Sequence, residues 1–273
     1  MKLGANTLVH MLLSPTSVET EVDGHLVKGM LLIEVVGVLV NSTAHPVQCT
    51  TNYPFSDVLK YDISTERAFL FAIRVPEWTD IDSTSIKFGS KEWSSPLTRD
   101  SLGLHKIQIK PGQTTILINL PMEIRIVTRN DSVGVFRGPL LYAADIDYNT
   151  TYHQPLNWSD QTPLADSEVD RRSRDWVLQP TSGWKYAIDP GSVRVKSSGN
   201  ASCDLSTPVF SRVNIPVSLE VDAYEINWPE AKGTAALPPL QPNISQLDKV
   251  VLKLIPFGAA KLHIAQFPIA AFN

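Results

Sequence analysis

Turn-forming residues interrupt this chain so often that long helices are excluded. Its 273 residues include 20 prolines and 14 glycines, and each interior proline removes a helical hydrogen bond and clashes with the preceding turn. Between these breaks lie short runs rich in β-branched and aromatic residues: 8–13, 58–63, 69–75, 85–88, 105–109, 114–120, 124–128, 133–136, 140–144, 192–195, 217–221 and 250–255. Many alternate, as in His105-Lys106-Ile107-Gln108-Ile109-Lys110, where Ile107 and Ile109 share one face. Strands at roughly 8–12-residue spacing, stopped by Val75-Pro76, Lys110-Pro111-Gly112, Gly138-Pro139 and Asp189-Pro190, predict an all-β sandwich or barrel.

The pattern changes along the chain. A dense series of strands runs to residue 146. Residues 147–182 are polar and irregular, with a charge cluster from Asp166 to Asp175, and read as a linking loop. β-Pattern resumes at Trp184. The fold predicted is two tandem antiparallel β-sandwich (jelly-roll-like) domains, 1–146 and 183–273, joined by 147–182. Residues 25–46 are too apolar for a solvated loop and too long for a hairpin loop. They read either as an extra strand or as an insertion foreign to the domain.

Charge narrows the function. With 24 Lys and Arg against 28 Asp and Glu, the net charge is -4, which argues against a nucleic-acid partner. No run of about 18 apolar residues is present, so no membrane span is expected. Cys49 and Cys203 are the only cysteines; they form either one disulfide or two free thiols, and they exclude a metal site of three or four cysteines within this chain. Six N-x-[ST] sequons, at Asn41, Asn130, Asn149, Asn157, Asn200 and Asn243, exceed the roughly two expected by chance and point to an extracellular, glycosylated protein. Residues 1–13 lack the apolar core of a signal peptide, so the pattern fits the tail of a longer secreted chain.

Four segments carry a resemblance. They are Thr51-Asn52-Tyr53-Pro54-Phe55-Ser56-Asp57, then Phe71-Ala72-Ile73-Arg74-Val75-Pro76-Glu77-Trp78, then Val133-Gly134-Val135-Phe136-Arg137-Gly138-Pro139-Leu140-Leu141-Tyr142, and Leu254-Ile255-Pro256-Phe257-Gly258 with Lys261-Leu262-His263 and Phe267-Pro268. Trp184-Lys185-Tyr186-Ala187-Ile188 also fits. In order and spacing they resemble the β-sandwich part of the β-L-arabinofuranosidase-like proteins of glycoside hydrolase family 127, chiefly the fungal secreted relatives, over residues 6–24 and 47–273. The resemblance implies hydrolysis of β-L-arabinofuranosyl or related bonds in plant cell-wall glycans by an upstream (α/α)6 barrel, with a cysteine nucleophile in a zinc site of three cysteines and a glutamate. None of those residues has a counterpart here. The implied role is therefore non-catalytic, with no cofactor in this chain and a catalytic barrel, or plant polysaccharide, as partner; the alternative is a stand-alone carbohydrate-binding sandwich.

Within the chain, Glu77 and Trp78 are candidates for sugar or domain contact, since an indole stacks on sugar rings and a carboxylate holds hydroxyls. The simpler reading has Trp78 covering the sandwich edge where Pro76 ends a strand. Arg137 before Gly138-Pro139 is a third candidate; its simpler reading is a bulge with the guanidinium on local carbonyls. Asp145 with Asp147, and Asp80 with Asp82, have a spacing that glycosidase carboxylates could use, but nothing near them predicts a raised pKa. The six histidines show no H-x-x-x-H or H-x-H spacing. Trp93, Trp158, Trp176, Trp184 and Trp228 read as core or loop anchors before they read as a sugar platform.

Overall fold

The computed structural model describes residues 7–11, 16–22, 25–28, 47–94, 96–170, 172–197, 205, 207–244 and 247–271. Among them regular structure is all β, with only three single-turn 3-10 helices, at Ile81–Ser83, Pro190–Ser192 and Phe257–Ala259. None is long and apolar enough to cross a membrane. The chain forms two compact units. One takes the described residues up to Arg125 together with Arg137–Leu140; the other takes Ile126–Phe136 and nearly all described residues from Leu141 onward.

The first unit is a sandwich of two sheets. One sheet has three strands, Thr7–His10, Phe69–Arg74 and Leu104–Ile109, and its first pair is parallel, with Thr7 opposite Leu70. The other has six strands, ordered His25–Lys28, Thr16–Val22, Val47–Thr50, Val58–Thr65, Gly112–Asn119 and Ser85–Phe88, all antiparallel. Of the segment read as extra strand or insertion, His25–Lys28 is a strand and 29–46 lies outside the described residues.

Alternation builds the core. In Val58–Thr65, Leu59, Tyr61 and Ile63 point inward, while Lys60 and Asp62 face out and pair at 2.7 Å. Phe71, Ile73, Ile107 and Ile109 of the small sheet meet Leu59, Tyr61, Ile116 and Ile118 of the large one in a single cluster. Burying each such side chain contributes about 1.5–3 kcal/mol. Ala72, on the opposite face of its strand, packs in a small separate cluster with Val9 and Leu104, while Arg74, Lys106 and Gln108 on that face are exposed.

The second unit is organised around a nine-stranded sheet. Its main path runs Ile124–Arg129, Ser132–Arg137, Leu140–Asp145, Lys249–Pro256, Val217–Glu225 and Tyr186–Ile188, with three shorter strands alongside. The central strand Val217–Glu225 buries Val217, Leu219, Val221 and Ala223. Its outward Glu220 and Asp222 meet Arg194, Lys196 and Lys249 from both neighbouring strands. The segment read as a linking loop holds an antiparallel hairpin, Tyr148–His153 with Asp175–Pro180. Ser132–Arg137 and Leu140–Asp145 pair with strands beyond residue 248, so the compact units divide near residue 126 and not at the change in composition near 146.

Candidate functional site

Three of the motif segments converge on one corner of the first unit. The turn after Thr51 is closed by the Phe55 amide donating to the Asn52 carbonyl at 2.8 Å, and it brings Tyr53 against Trp78. Their rings stack at 6.5 Å with an interplanar angle of 27°. Burial raises the Tyr53 pKa, against smaller lowering effects from Arg74 and a hydrogen bond with Trp78. Trp78 packs against the sandwich core, so the simpler reading of this residue, a cover for the sandwich edge, describes its position. Glu77 beside it is exposed and takes no part in the Tyr53–Trp78 stack.

Sequence reasoning missed the residue that shapes this loop. Arg99 donates from Nε to the Val75 carbonyl at 3.1 Å, and from Nη2 to the carbonyls of Pro76 and of Thr79, the latter at 2.8 Å. The Thr79 hydroxyl donates to the Pro121 carbonyl at 3.0 Å. Proline removes donors at this strand end, and one guanidinium gathers the carbonyls left over. Arg99→Met should cost about 1–2 kcal/mol through these lost bonds, seen as a lower urea midpoint and faster proteolytic cleavage within 75–79.

Arg137 differs from its expected surroundings. Its Nη2 donates to the Asp57 carboxylate at 3.0 Å and its Nη1 lies 3.6 Å from the Met122 sulfur; it does not sit on local carbonyls. The segment is also not a bulge. Gly138 and Pro139 form the two-residue turn between Ser132–Arg137 and Leu140–Asp145, and Gly138 has φ 52°, the positive value such hairpin turns use. The local carbonyl is served instead by Arg125, whose Nη2 lies 3.4 Å from the Gly138 oxygen. Only 11% of the Arg137 side chain is exposed. Asp57→Ala, which leaves that cation without its anion, should destabilise by about 2 kcal/mol; Asp57→Asn should recover part of it. Chemical denaturation of the three proteins checks this.

The paired carboxylates are built for structure. Asp145 and Asp147 both accept hydrogen bonds from Arg212, which raise the affinity of that guanidinium for its proton, Asp145 first. Tyr148 lies beneath the same guanidinium, 6.0 Å from its carbon. The two carboxylates thus share one cation, which takes the place a water or glycosidic oxygen would need. Asp80 caps the turn Ile81–Ser83, accepting from the Ser83 hydroxyl at 2.6 Å and the Asp82 amide at 3.3 Å; those two bonds lower its pKa. A carboxyl held ionised is no proton donor at neutral pH.

In the first unit's core, Cys49, Tyr61 and His10 lie together. The His10 Nδ1 and the Tyr61 hydroxyl are 2.8 Å apart. Burial pushes the Cys49 thiol up to about 12, so it is neither a thiolate nucleophile nor a ready metal ligand. Cys203 lies outside the described residues. No three His, Cys, Asp or Glu side chains are grouped for a metal among the described residues; these residues do not fit the zinc centre that the family resemblance implies for a barrel.

The tryptophans form no common platform. Trp228 is in the second unit's core, with Trp184 against it at 5.6 Å. Trp176 pairs with Tyr152 across the exposed hairpin at 5.3 Å. Trp158, 92% exposed, and Trp93 stand apart. Of the sequons, Asn130 and Asp131 make a tight turn at φ 47° and 60°, and Asn149 and Asn243 are exposed. Asn157 uses its side-chain oxygen to accept from the Ser159 amide and hydroxyl. Asn41 and Asn200 lie outside the described residues.

No protein-family model matches the chain, and no curated protein matches it. Among solved structures, a GH127 beta-L-arabinofuranosidase from Geobacillus stearothermophilus T6 is similar over 98% of this chain, with a TM-score of 0.58 and 14% identity. The fold is GH127-like. The chain spans about a third of that enzyme's length, 34%. Another structure, a GH127 beta-arabinofuranosidase, aligns over 82% of this chain and 32% of its own, with a TM-score of 0.48 and 16% identity.

Proposed function

We propose that this chain is the non-catalytic, secreted β-sandwich portion of a β-L-arabinofuranosidase-like glycoside hydrolase acting on plant cell-wall glycans, and that it supports a catalytic (α/α)6 barrel it does not itself contain. The observation that carries this reading is the asymmetry of the fold match, which takes in 98% of this chain but 34% of the enzyme. The chemistry of the chain agrees with it. Asp145 and Asp147 are tied to Arg212, and Cys49 is protonated and buried.

The purified chain should not hydrolyse 4-nitrophenyl β-L-arabinofuranoside above background. Intact mass spectrometry of the native protein from the secreted fraction, after deglycosylation, should give a mass well above that of this chain, with its peptides in the same species as those of a helical barrel. Turnover by the chain alone that survives rigorous purification would sink the proposal. So would a native species of only 30.2 kDa without any barrel associated.

A further inference from the structure

The second unit contains an open cleft of about 130 Å³ that plays no part in the corner described above. We infer that it binds one neutral sugar ring, and this inference stands whether or not a barrel accompanies the chain. Its floor is apolar, with Ile146 and Leu178, and its rim carries Trp184, Glu230, Thr234 and His263. Apolar surface beside a few placed polar groups is the usual make-up of a small-ligand site.

Each polar group has a definable role. His263 Nδ1 lies 3.1 Å from the Ala260 carbonyl; a carbonyl only accepts, so Nδ1 is the donor there and Nε2 is the nitrogen left for a ligand hydroxyl. Its ring is steadied edge-on by Phe257 at 4.3 Å. Lys185 lies over the Trp184 ring at 5.1 Å and reaches Glu230 at 3.9 Å. That ammonium closes one indole face and balances the carboxylate. What Trp184 offers the cleft is its remaining apolar surface and its N–H, which donates to no acceptor among the described residues. Glu230 supplies two acceptor oxygens and Thr234 a hydroxyl.

The wall is also held in place before any ligand arrives. Glu230 and Ala231 pair with Ala235 and Thr234 in a short hairpin turned by Lys232 and Gly233 at φ 52° and 74°. The Trp228 N–H donates to the Ala236 carbonyl at 2.9 Å and the Ala236 amide to Pro229 at 3.0 Å, fixing the hairpin's base to the core. Preorganisation of this kind lowers the cost of binding.

The charge balance chooses the ligand class. Glu230 and Lys185 offset each other at the rim, so the site has no net charge to favour either an anionic or a cationic ligand. A ring with several hydroxyls and one apolar face matches the combination of acceptors, an indole N–H and an apolar floor. The cleft, about 130 Å³ and open to solvent, is smaller than a drug-sized pocket and admits one sugar ring at most, in part.

The test uses the whole chain. L-Arabinose, D-xylose and D-galactose are titrated to about 50 mM while tryptophan fluorescence and saturation-transfer NMR are followed, since single-ring sugar sites are weak. Galacturonate and ethanolamine serve as charged controls. Saturable binding of at least one neutral sugar is expected, weakened about tenfold or more in both Glu230→Ala and Thr234→Val. Both positions are exposed on the hairpin, and thermal melts matching the parent confirm folding. Trp184→Phe, which keeps the ring contact with the core, should weaken binding by removing the N–H. No saturable response, or one unchanged in all three variants, overturns the inference. Preferential binding of galacturonate or ethanolamine overturns the ligand class. Failure here would leave the accessory reading untouched, because that reading is decided by native mass and turnover.

Discussion

Between pH 6.5 and pH 4 the first unit should lose about 3 kcal/mol of folding stability through one residue, His10. Its ring is 4% exposed, with Tyr61 at 2.8 Å and edge-on at 5.7 Å. Burial lowers its pKa from 6.5 to about 4. The folded state therefore keeps the imidazole neutral where the unfolded chain takes up a proton. Stability is complete above pH 6.5, declines as pH falls, and levels off with respect to His10 below about 4. His10→Gln keeps a hydrogen-bonding group but does not titrate. Urea unfolding of both proteins at pH 7, 5.5 and 4.5 should show the parent's extra stability shrinking with acidity. A constant difference across that range would remove His10 as the source.

Gly138→Ala is expected to destabilise the chain by about 3 kcal/mol, from positive φ and from overpacking together. A Cβ at this position would meet the Met122 side chain at 2.7 Å (Cγ), 2.9 Å (Sδ) and 3.1 Å (Cβ). Met122 is buried, and its sulfur neighbours Arg137. Its tail has some freedom, but its Cβ moves only with the backbone. Gly138→Ala with Met122→Ala separates the two terms. The part set by Cγ and Sδ should be recovered in the double variant, while the Cβ contact and the backbone part persist, giving a non-additive cycle. Strict additivity would mean that Met122 does not set the cost.

The strands were readable because each large-sheet or small-sheet strand hides one face. Val58–Thr65 and Leu104–Ile109 alternate in sequence as they do in burial. The hairpin Tyr148–His153 and Asp175–Pro180 was not, because both its strands are largely exposed and no period survives when neither face is hidden. The division between units was misplaced for a related reason. Composition changes at the polar hairpin, whereas pairing of Leu140–Asp145 with Lys249–Pro256 joins residues about a hundred positions apart. At the motif corner, Trp78 and Arg137 were visible as unusual residues beside Pro and Gly. Their partners were not, since Tyr53, Asp57 and Arg99 come from distant segments. Arg99 least of all, because a guanidinium that binds backbone carbonyls imposes no side-chain identity on its partners.

The parallel pairing of Thr7–His10 with Phe69–Arg74 has a consequence for how the chain folds. Among the described residues, the connection between those two strands holds four strands of the opposing sheet: Thr16–Val22, His25–Lys28, Val47–Thr50 and Val58–Thr65. Leu8 and Val9 must therefore wait, solvent-facing, until a segment some sixty residues later has been made and ordered. Closing a loop of that length comes late and slowly. The strand emerging first among those described thus finds its place only after Phe69–Arg74 has formed, and until then its apolar edge is open to any other chain at the same stage.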